Sequence, residues 1–452
     1  MGRTRIAALL CGTALLTTGL TTGLTTGIAT GATTGVQAAG PATAVRSGVH
    51  VPGTAAAAPR AGAPAPAEPP PCVNSPLPYS GQAADVVRIA EQARKQLDLA
   101  AVLLRVTVDG KELVTAGLGE SMAGVPAAPA QHFRAGSVAD AVMGTALLRL
   151  VDEGRVRLDD PVSRWLPDLP HAHRITLRML ASSTSGLVDY ATDPAFLAAR
   201  EDDPFRQWTS EELVARATSR PLLYTPGANW SRSRANSVIL GSALERITGT
   251  RLDVLLRQRV LDPLGMRETR SAATPEIPSP VLHAYTSQDE SYEDSTYWNP
   301  SWTTAPSAVL TTDICDLARS AAGIGSGKLL SSRSRAQLLD PGTVGLGGPT
   351  STCSASVCLK NTKATHYGAG VLVLDDWVLQ NPSFSGYSAV QAYLPADRLA
   401  VAVATTEGRR TPGGNTAELV MGRLAEVLAP GRAPASAVSG AGALGPDRPG
   451  VG

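Results

Sequence analysis

The chain has 452 residues, 43% hydrophobic, 17% charged and 4% aromatic, with a formal net charge of +1 at pH 7. Such a composition is ordinary for a globular protein, and the length suffices to bury a sizeable core. The balanced charge supplies no electrostatic pull toward nucleic acid or an anionic membrane surface, so neither is expected as a partner.

Arg3 and Arg5 precede an uncharged run that reaches Arg46 and opens with IAALLCGTALL. A basic start followed by an apolar stretch reads as a signal peptide, here residues 1–44, with cleavage at Ala42-Thr43-Ala44 or at Val36-Gln37-Ala38. The TTGL repeats at 17–28 hold too much Thr and Gly for a membrane span, so none is expected after cleavage; a retained anchor is the alternative. The expected location is outside the cell or in its envelope.

Residues 45–82 are rich in Ala, Pro and Gly and read as a linker. An exported chain would keep Cys72, Cys315, Cys353 and Cys358, which allow three pairings. Close spacing favours Cys353 with Cys358, leaving Cys72 and Cys315 to tie the N-terminal segment to the body; free thiols are the alternative. No CxxC spacing occurs, so no metal is expected.

The pattern predicts a helix over 84–97. Strands over 101–108 and 112–117 flank an Asp109-Gly110 turn. A helix then runs from Ser137 and stops at Gly154. A mixed region extends to about residue 300. Strands return at 368–374, 377–379, 391–394 and 399–404. The body is thus residues 83–430, an α/β (α+β) fold whose antiparallel sheet is built from both chain ends with helices between. Residues 431–452 read as a disordered Gly/Ala/Pro tail.

The stretch 133–154, FRAGSVADAVMGTALLRLVDEG, carries the chemistry. Its helix is apolar almost all round, which marks a buried central element. Ser137 stands at the helix N-terminus, where backbone N–H groups and the dipole favour negative charge. A serine is a weak nucleophile until a base takes its proton. The residue one turn on faces it, and here that residue is Asp140. A carboxylate near pKa ~4 is a poor partner for a hydroxyl, and its charge opposes the anion of acyl transfer. His132 precedes the turn and is set aside as a substitute base. His171 and His173 follow Pro170 in a polar connection and read as loop rather than metal ligands. No phosphate loop, HExxH or dinucleotide fingerprint occurs, so no cofactor is expected.

With FRAGSVAD, LVDEGRVRLDDPVSRWLPDLP (150–170), ITLRMLASSTSGLVDY (175–190), YTPGANWSRSRANSVILGSALERITG (224–249), VLDPLGM (260–266) and DICDLAR (313–319) in view, the chain resembles the serine β-lactamase and D-Ala-D-Ala carboxypeptidase superfamily. The likeness is to its class C-like branch and covers about residues 83–428. It implies an α/β domain beside a helical domain, with the active site in the cleft between. Catalysis in that family uses Ser-x-x-Lys, Tyr-x-Asn, and His-x-Gly or Lys-Thr-Gly. Ser137 matches as nucleophile, but Asp140 stands at the Lys position. Register places Arg232 and Arg234 at the Tyr and Asn positions, and Gln380 and Pro382 at the His and Gly positions.

All three elements are altered, which makes Ser137 a vestigial nucleophile in a site no longer held for turnover. Asp140 on a buried helix needs a partner, and Arg232 is the expected one, with Arg234 the other candidate; unrelated surface drift is the alternative. The resemblance implies an exported pseudo-hydrolase that binds cell-wall peptide or a related small ligand. Two alternatives stay open: a low-activity serine hydrolase of carboxypeptidase, β-lactamase or esterase type using Ser137, and a scaffold for a cell-envelope partner. The oligomeric state is left unassigned.

Overall fold

The computed structural model describes residues 70–287 and 291–434. The signal-peptide reading of 1–44 lies outside the described residues, as do most of the 45–82 linker and of the 431–452 tail.

Helix α1 (Gly81–Gln96) leads into strands β1 (Leu99–Val108) and β2 (Lys111–Met122). Four helices follow among shorter elements or close the chain: α2 (Val138–Asp152), α3 (Arg234–Thr248), α4 (Ile314–Gly325) and α5 (Thr416–Leu428). Late strands are β3 (Thr365–Tyr367), β4 (Leu372–Leu374), β5 (Trp377–Gln380), β6 (Tyr387–Leu394) and β7 (Leu399–Glu407). The sheet runs β2-β1-β7-β6-β5-β4-β3, every pairing antiparallel, with Val125–Pro126 on the outer side of β2 and Ser383–Phe384 against β6. β1 from the front of the chain pairs with β7 from the back, Leu104 opposite Val403. The antiparallel sheet built from both ends is therefore observed.

The sheet is buried on both faces, so its central strands lose the polar-out alternation: all nine residues of β7 are buried. One face carries α1 and α5, where Val86, Ala90 and Ala93 join Val420, Met421 and Leu424 in one cluster. On the other side α4 and α2 join the helical part of the molecule in the larger core. Eleven residues of α2 are buried, as its apolar surface demands. Gly154 closes it at φ +69°, with its N–H on the carbonyl of Val151 and that of Arg155 on Leu150.

Several sequence-based boundaries shift; the strands expected over 112–117 and 399–404 run on to Met122 and Glu407. Of the strand expected over 368–374 only Leu372–Leu374 (β4) is strand; Gly368–Val371 is a turn that joins it to β3, which precedes the expected range. Close approach forces the break: Gly370 has φ +80°, and a Cβ there would lie 2.1 Å from the Asp140 carbonyl oxygen. The strand read over 391–394 begins four residues earlier, at Tyr387. The proline-rich stretch is already seated by Cys72, where a disulfide joins it to Cys315; Ser75 N–H donates to the Thr115 carbonyl, and Asn74 accepts from Gly117 N–H. A second disulfide links Cys353 and Cys358. Both favoured pairings are thus present. Among the described residues no helix is long and apolar enough to cross a membrane.

Candidate active site

Ser137 sits immediately before α2 and is 5% exposed. The backbone ahead of it is compressed. Gly136 has φ +42°, and a Cβ on it would lie 2.6 Å from the Pro382 Cβ. Pro382 therefore packs against the turn that carries the serine. Ser137 Oγ donates to Gln380 Oε1 at 3.4 Å, and Gln380 Nε2 donates to the Gly370 carbonyl at 2.6 Å. Gln380 ends β5, so the register counted from the sequence does bring 380 and 382 beside Ser137. A glutamine side-chain oxygen accepts a hydrogen bond but takes up no proton near neutral pH. Gln380 thus holds the serine hydroxyl.

Asp140 lies one turn along α2. Its Oδ1 accepts from Ser237 Oγ at 2.6 Å and Thr304 Oγ1 at 3.2 Å. Burial raises its pKa; the nearby Arg232 charge, these two hydroxyls and Arg234 oppose that shift only in part. The expected Asp140–Arg232 ion pair is not formed as a contact. Arg232 acts on the carboxylate through space, while hydroxyl donors take the short hydrogen bonds. Neutral donors from α3 and from the segment before Pro306 lie closer than the guanidinium, which is why the pairing expected from charge alone fails.

Arg234 goes elsewhere. Its Nη1 donates to Asp189 Oδ2 at 2.6 Å, both side chains being nearly buried, and its guanidinium lies 5.5 Å from the Trp302 ring centroid. Trp302 in turn accepts the Tyr190 hydroxyl on its carbonyl at 2.6 Å. Arg234 thus braces α3 against the loop at 189.

Tyr367 was not foreseen. It rises from β3 into the cavity beside Asp140, and its pKa is raised by burial and then by the Asp140 charge. It is therefore a neutral phenol at physiological pH. Asp140, Arg232, Ser233 and Tyr367 enclose a cavity of about 20 Å³. That is room for about one water molecule, and Ser137 is not among the residues lining it.

The other candidates separate from the site. His132 Nδ1 engages the Pro280 carbonyl at 3.2 Å and Nε2 faces Glu268 at 3.6 Å, so the ring is occupied away from Ser137. The serines at 182–185 are scaffold: Ser183 Oγ bonds the Ser231 carbonyl and accepts from Asn236, and Ser185 donates to Asn236. Among the described residues the one His/Cys/Asp/Glu group compact enough for a metal is Cys72, Asp313 and Cys315, and both its sulfurs are in the disulfide.

One expectation follows from the Asp140 shift. A raised carboxyl pKa means that the ionised form is disfavoured in the folded chain, so its penalty is present above the raised value and fades as pH falls to the ordinary aspartate range. Asp140→Asn keeps the oxygen that accepts from Ser237 and Thr304. We expect it to raise Tm at about pH 8 and to converge with wild type toward about pH 4. A lower Tm at the alkaline end would contradict this reading.

The Beta-lactamase family model matches residues 86–425. Among curated proteins, Esterase EstB of Burkholderia gladioli is 32% identical over 199 residues, covering 41% of this chain and 50% of that protein. The D-alanyl-D-alanine-carboxypeptidase/endopeptidase AmpH of Escherichia coli is 28% identical over 179 residues, covering 38% and 45%. The chain spans about half the length of these relatives. Among solved structures, the D-stereospecific amidohydrolase of a Streptomyces species superposes with a TM-score of 0.63 at 24% identity, over 76% of this chain and 99% of that one. The penicillin-binding protein homologue of Pyrococcus abyssi gives 0.62 at 20%, over 76% and 77%. With a match across three quarters of its length and the same fold around Ser137, the chain belongs to the Beta-lactamase family.

Proposed function

We propose that this protein is an exported, catalytically silent member of that family, acting by binding cell-wall peptide or a related small ligand in the cell envelope. The observation that carries the reading is the environment of Ser137: a buried hydroxyl whose neighbour is a glutamine oxygen, with a carboxyl one turn away where a proton acceptor of higher basicity is needed. A carboxylate with a raised pKa is a somewhat better base than usual, but hydroxyl donors hold its Oδ1, and its charge opposes a developing oxyanion. Two disulfides and the basic-then-apolar N-terminus support export. The names of the relatives, an esterase and a D-alanyl-D-alanine-carboxypeptidase/endopeptidase, support the ligand class.

The test is intact-mass spectrometry after incubation with a fluorophosphonate and with a labelled penicillin. The expected result is no added mass, together with a rise in Tm on addition of a D-Ala-D-Ala-ended peptide. A mass gain that disappears in Ser137→Ala establishes instead the low-activity hydrolase. If neither mass nor Tm moves, the binding reading fails and the scaffold alternative takes its place.

A further inference from the structure

Residues 343–361 form a strap between the helix Ser332–Leu339 and β3. Its two arms are bonded to each other: Gly345 N–H donates to the Asn361 carbonyl, Asn361 N–H to that of Leu346 and Gly348 N–H to that of Cys358. The arms approach so closely that a Cβ on Gly347, at φ +92°, would lie 1.9 Å from the Leu359 carbonyl oxygen. The disulfide between Cys353 and Cys358 closes the tip. Backbone pairing, close approach and a covalent link make the strap a stiff unit.

This unit grips both walls of the cavity beside Asp140. On one wall it takes Tyr367 by its backbone: Asn361 Oδ1 accepts from the Tyr367 N–H at 2.8 Å, and Thr343 Oγ1 donates to the Tyr367 carbonyl at 2.5 Å. On the other it reaches the segment that leads to Arg232. There Asn229 Nδ2 donates to the Gly348 carbonyl at 3.1 Å, and Thr352 Oγ1 donates to the Leu223 carbonyl at 2.5 Å. Between the two grips the Tyr367 and Trp230 rings meet, with centroids 5.8 Å apart. Tyr367 and Arg232 both line the cavity. The strap therefore ties the end of the sheet to the loop before α3.

The two ends of the strap are held differently. At its base Thr343 and Asn361 are each 1% exposed, so their bonds to Tyr367 are shielded from water. At its tip residues 349–352 and 354–357 are exposed, Thr352 among them. Water replaces a hydrogen bond lost at such a position, and the net change is about fivefold in an equilibrium. A stiff arm with a buried base and a lightly bonded tip moves as a lever, and the base of this one carries Tyr367.

We propose that the strap is a latch on the ligand site. Closed, it holds Tyr367 against Trp230 and leaves room for about one water. Released at its tip, it lets the Tyr367 wall move back and admits the end of a ligand. A ligand that binds only the released form draws the population toward it. The latch rests on the binding reading above for what enters; it sets when entry occurs.

The experiment is nitration of the full chain by tetranitromethane, with the modified tyrosines located by peptide mapping. Two variants loosen the tip: Thr352→Val, at an exposed position that leaves packing intact, and Cys353→Ser/Cys358→Ser. Tyr387 is the control, since it is buried on β6 with its hydroxyl donated to the Leu282 carbonyl. The expected result is nitration of Tyr367 about fivefold or more faster in both variants, with Tyr387 unchanged. A wild-type rate at Tyr367 in either variant, or a rise shared by Tyr387, would overturn the proposal. A D-Ala-D-Ala-ended peptide is expected to associate faster with both variants, and association at the wild-type rate while Tyr367 is released would also overturn it. A chain that binds no peptide while Tyr367 is released defeats the binding reading and leaves the latch standing.

Discussion

Replacing Arg234 by alanine is expected to destabilise the fold by about 3–5 kcal/mol in denaturant titration, because it strands the buried Asp189 carboxylate. The ion pair at 2.6 Å is almost fully enclosed, and the guanidinium also stacks on Trp302. The loss comes less from forfeited attraction than from a charge left in a poor solvent. Asp189 also accepts from Ala191 N–H, so Asp189→Asn keeps that local bond while removing the charge. The double variant Arg234→Ala/Asp189→Asn should therefore recover a measurable part of the loss. A single-variant cost below about 1 kcal/mol would show that Asp189 finds other compensation. The result matters for function, since it would establish that the family's Asn position here serves the fold.

Cutting the link between Cys72 and Cys315 should cost about 2–5 kcal/mol. The bridge closes a sequence separation of 243 residues, so it removes much freedom from the unfolded chain. It also holds the segment that runs beside β2 through Asn74 and Ser75. The Cys72→Ser/Cys315→Ser variant avoids a stray thiol and is the proper comparison. Equilibrium unfolding within about 0.5 kcal/mol of wild type would show that hydrogen bonds alone seat this segment. The bridge between Cys353 and Cys358 spans only five residues in sequence and is expected to contribute less.

Much of the fold was legible in the chain because its signals are local. The Asp109-Gly110 turn between two apolar runs, the all-round apolar helix after Ser137 and the glycine closing it each reflect short-range geometry. The Ser137, Gln380 and Pro382 relation was legible only through the family's spacing, and the structure does place the three together. What the sequence hid was partner choice. Asp140 was expected to meet Arg232, yet Ser237 and Thr304 reach it first, and Thr304 lies 164 residues away with no local cue. Arg234 found Asp189 inside a stretch already noted, but charge alone does not say which of two arginines turns which way. Tyr367 enters the site from a strand whose edge was blurred, since the tight Gly368–Val371 turn reads as continuous β pattern until the Gly370–Asp140 contact is seen.

These substitutions act together. By the register counted from the sequence, Arg232 and Arg234 stand where the resemblance implies a phenol and an amide, and Asp140 where it implies an ammonium; the cavity between them holds about one water. Ser237 and Thr304 hydroxyls meet the Asp140 carboxyl, and the Asp189 carboxylate meets Arg234.

The most direct measurement is the rate at which the purified chain hydrolyses a chromogenic cephalosporin and a p-nitrophenyl acyl ester, beside Ser137→Ala under identical conditions. The account predicts that both proteins give the same rate, at or near that of buffer, since loss of a nucleophile's activating base lowers turnover by about 10^4-fold or more. Turnover of either compound that is well above buffer and vanishes with the serine would contradict it.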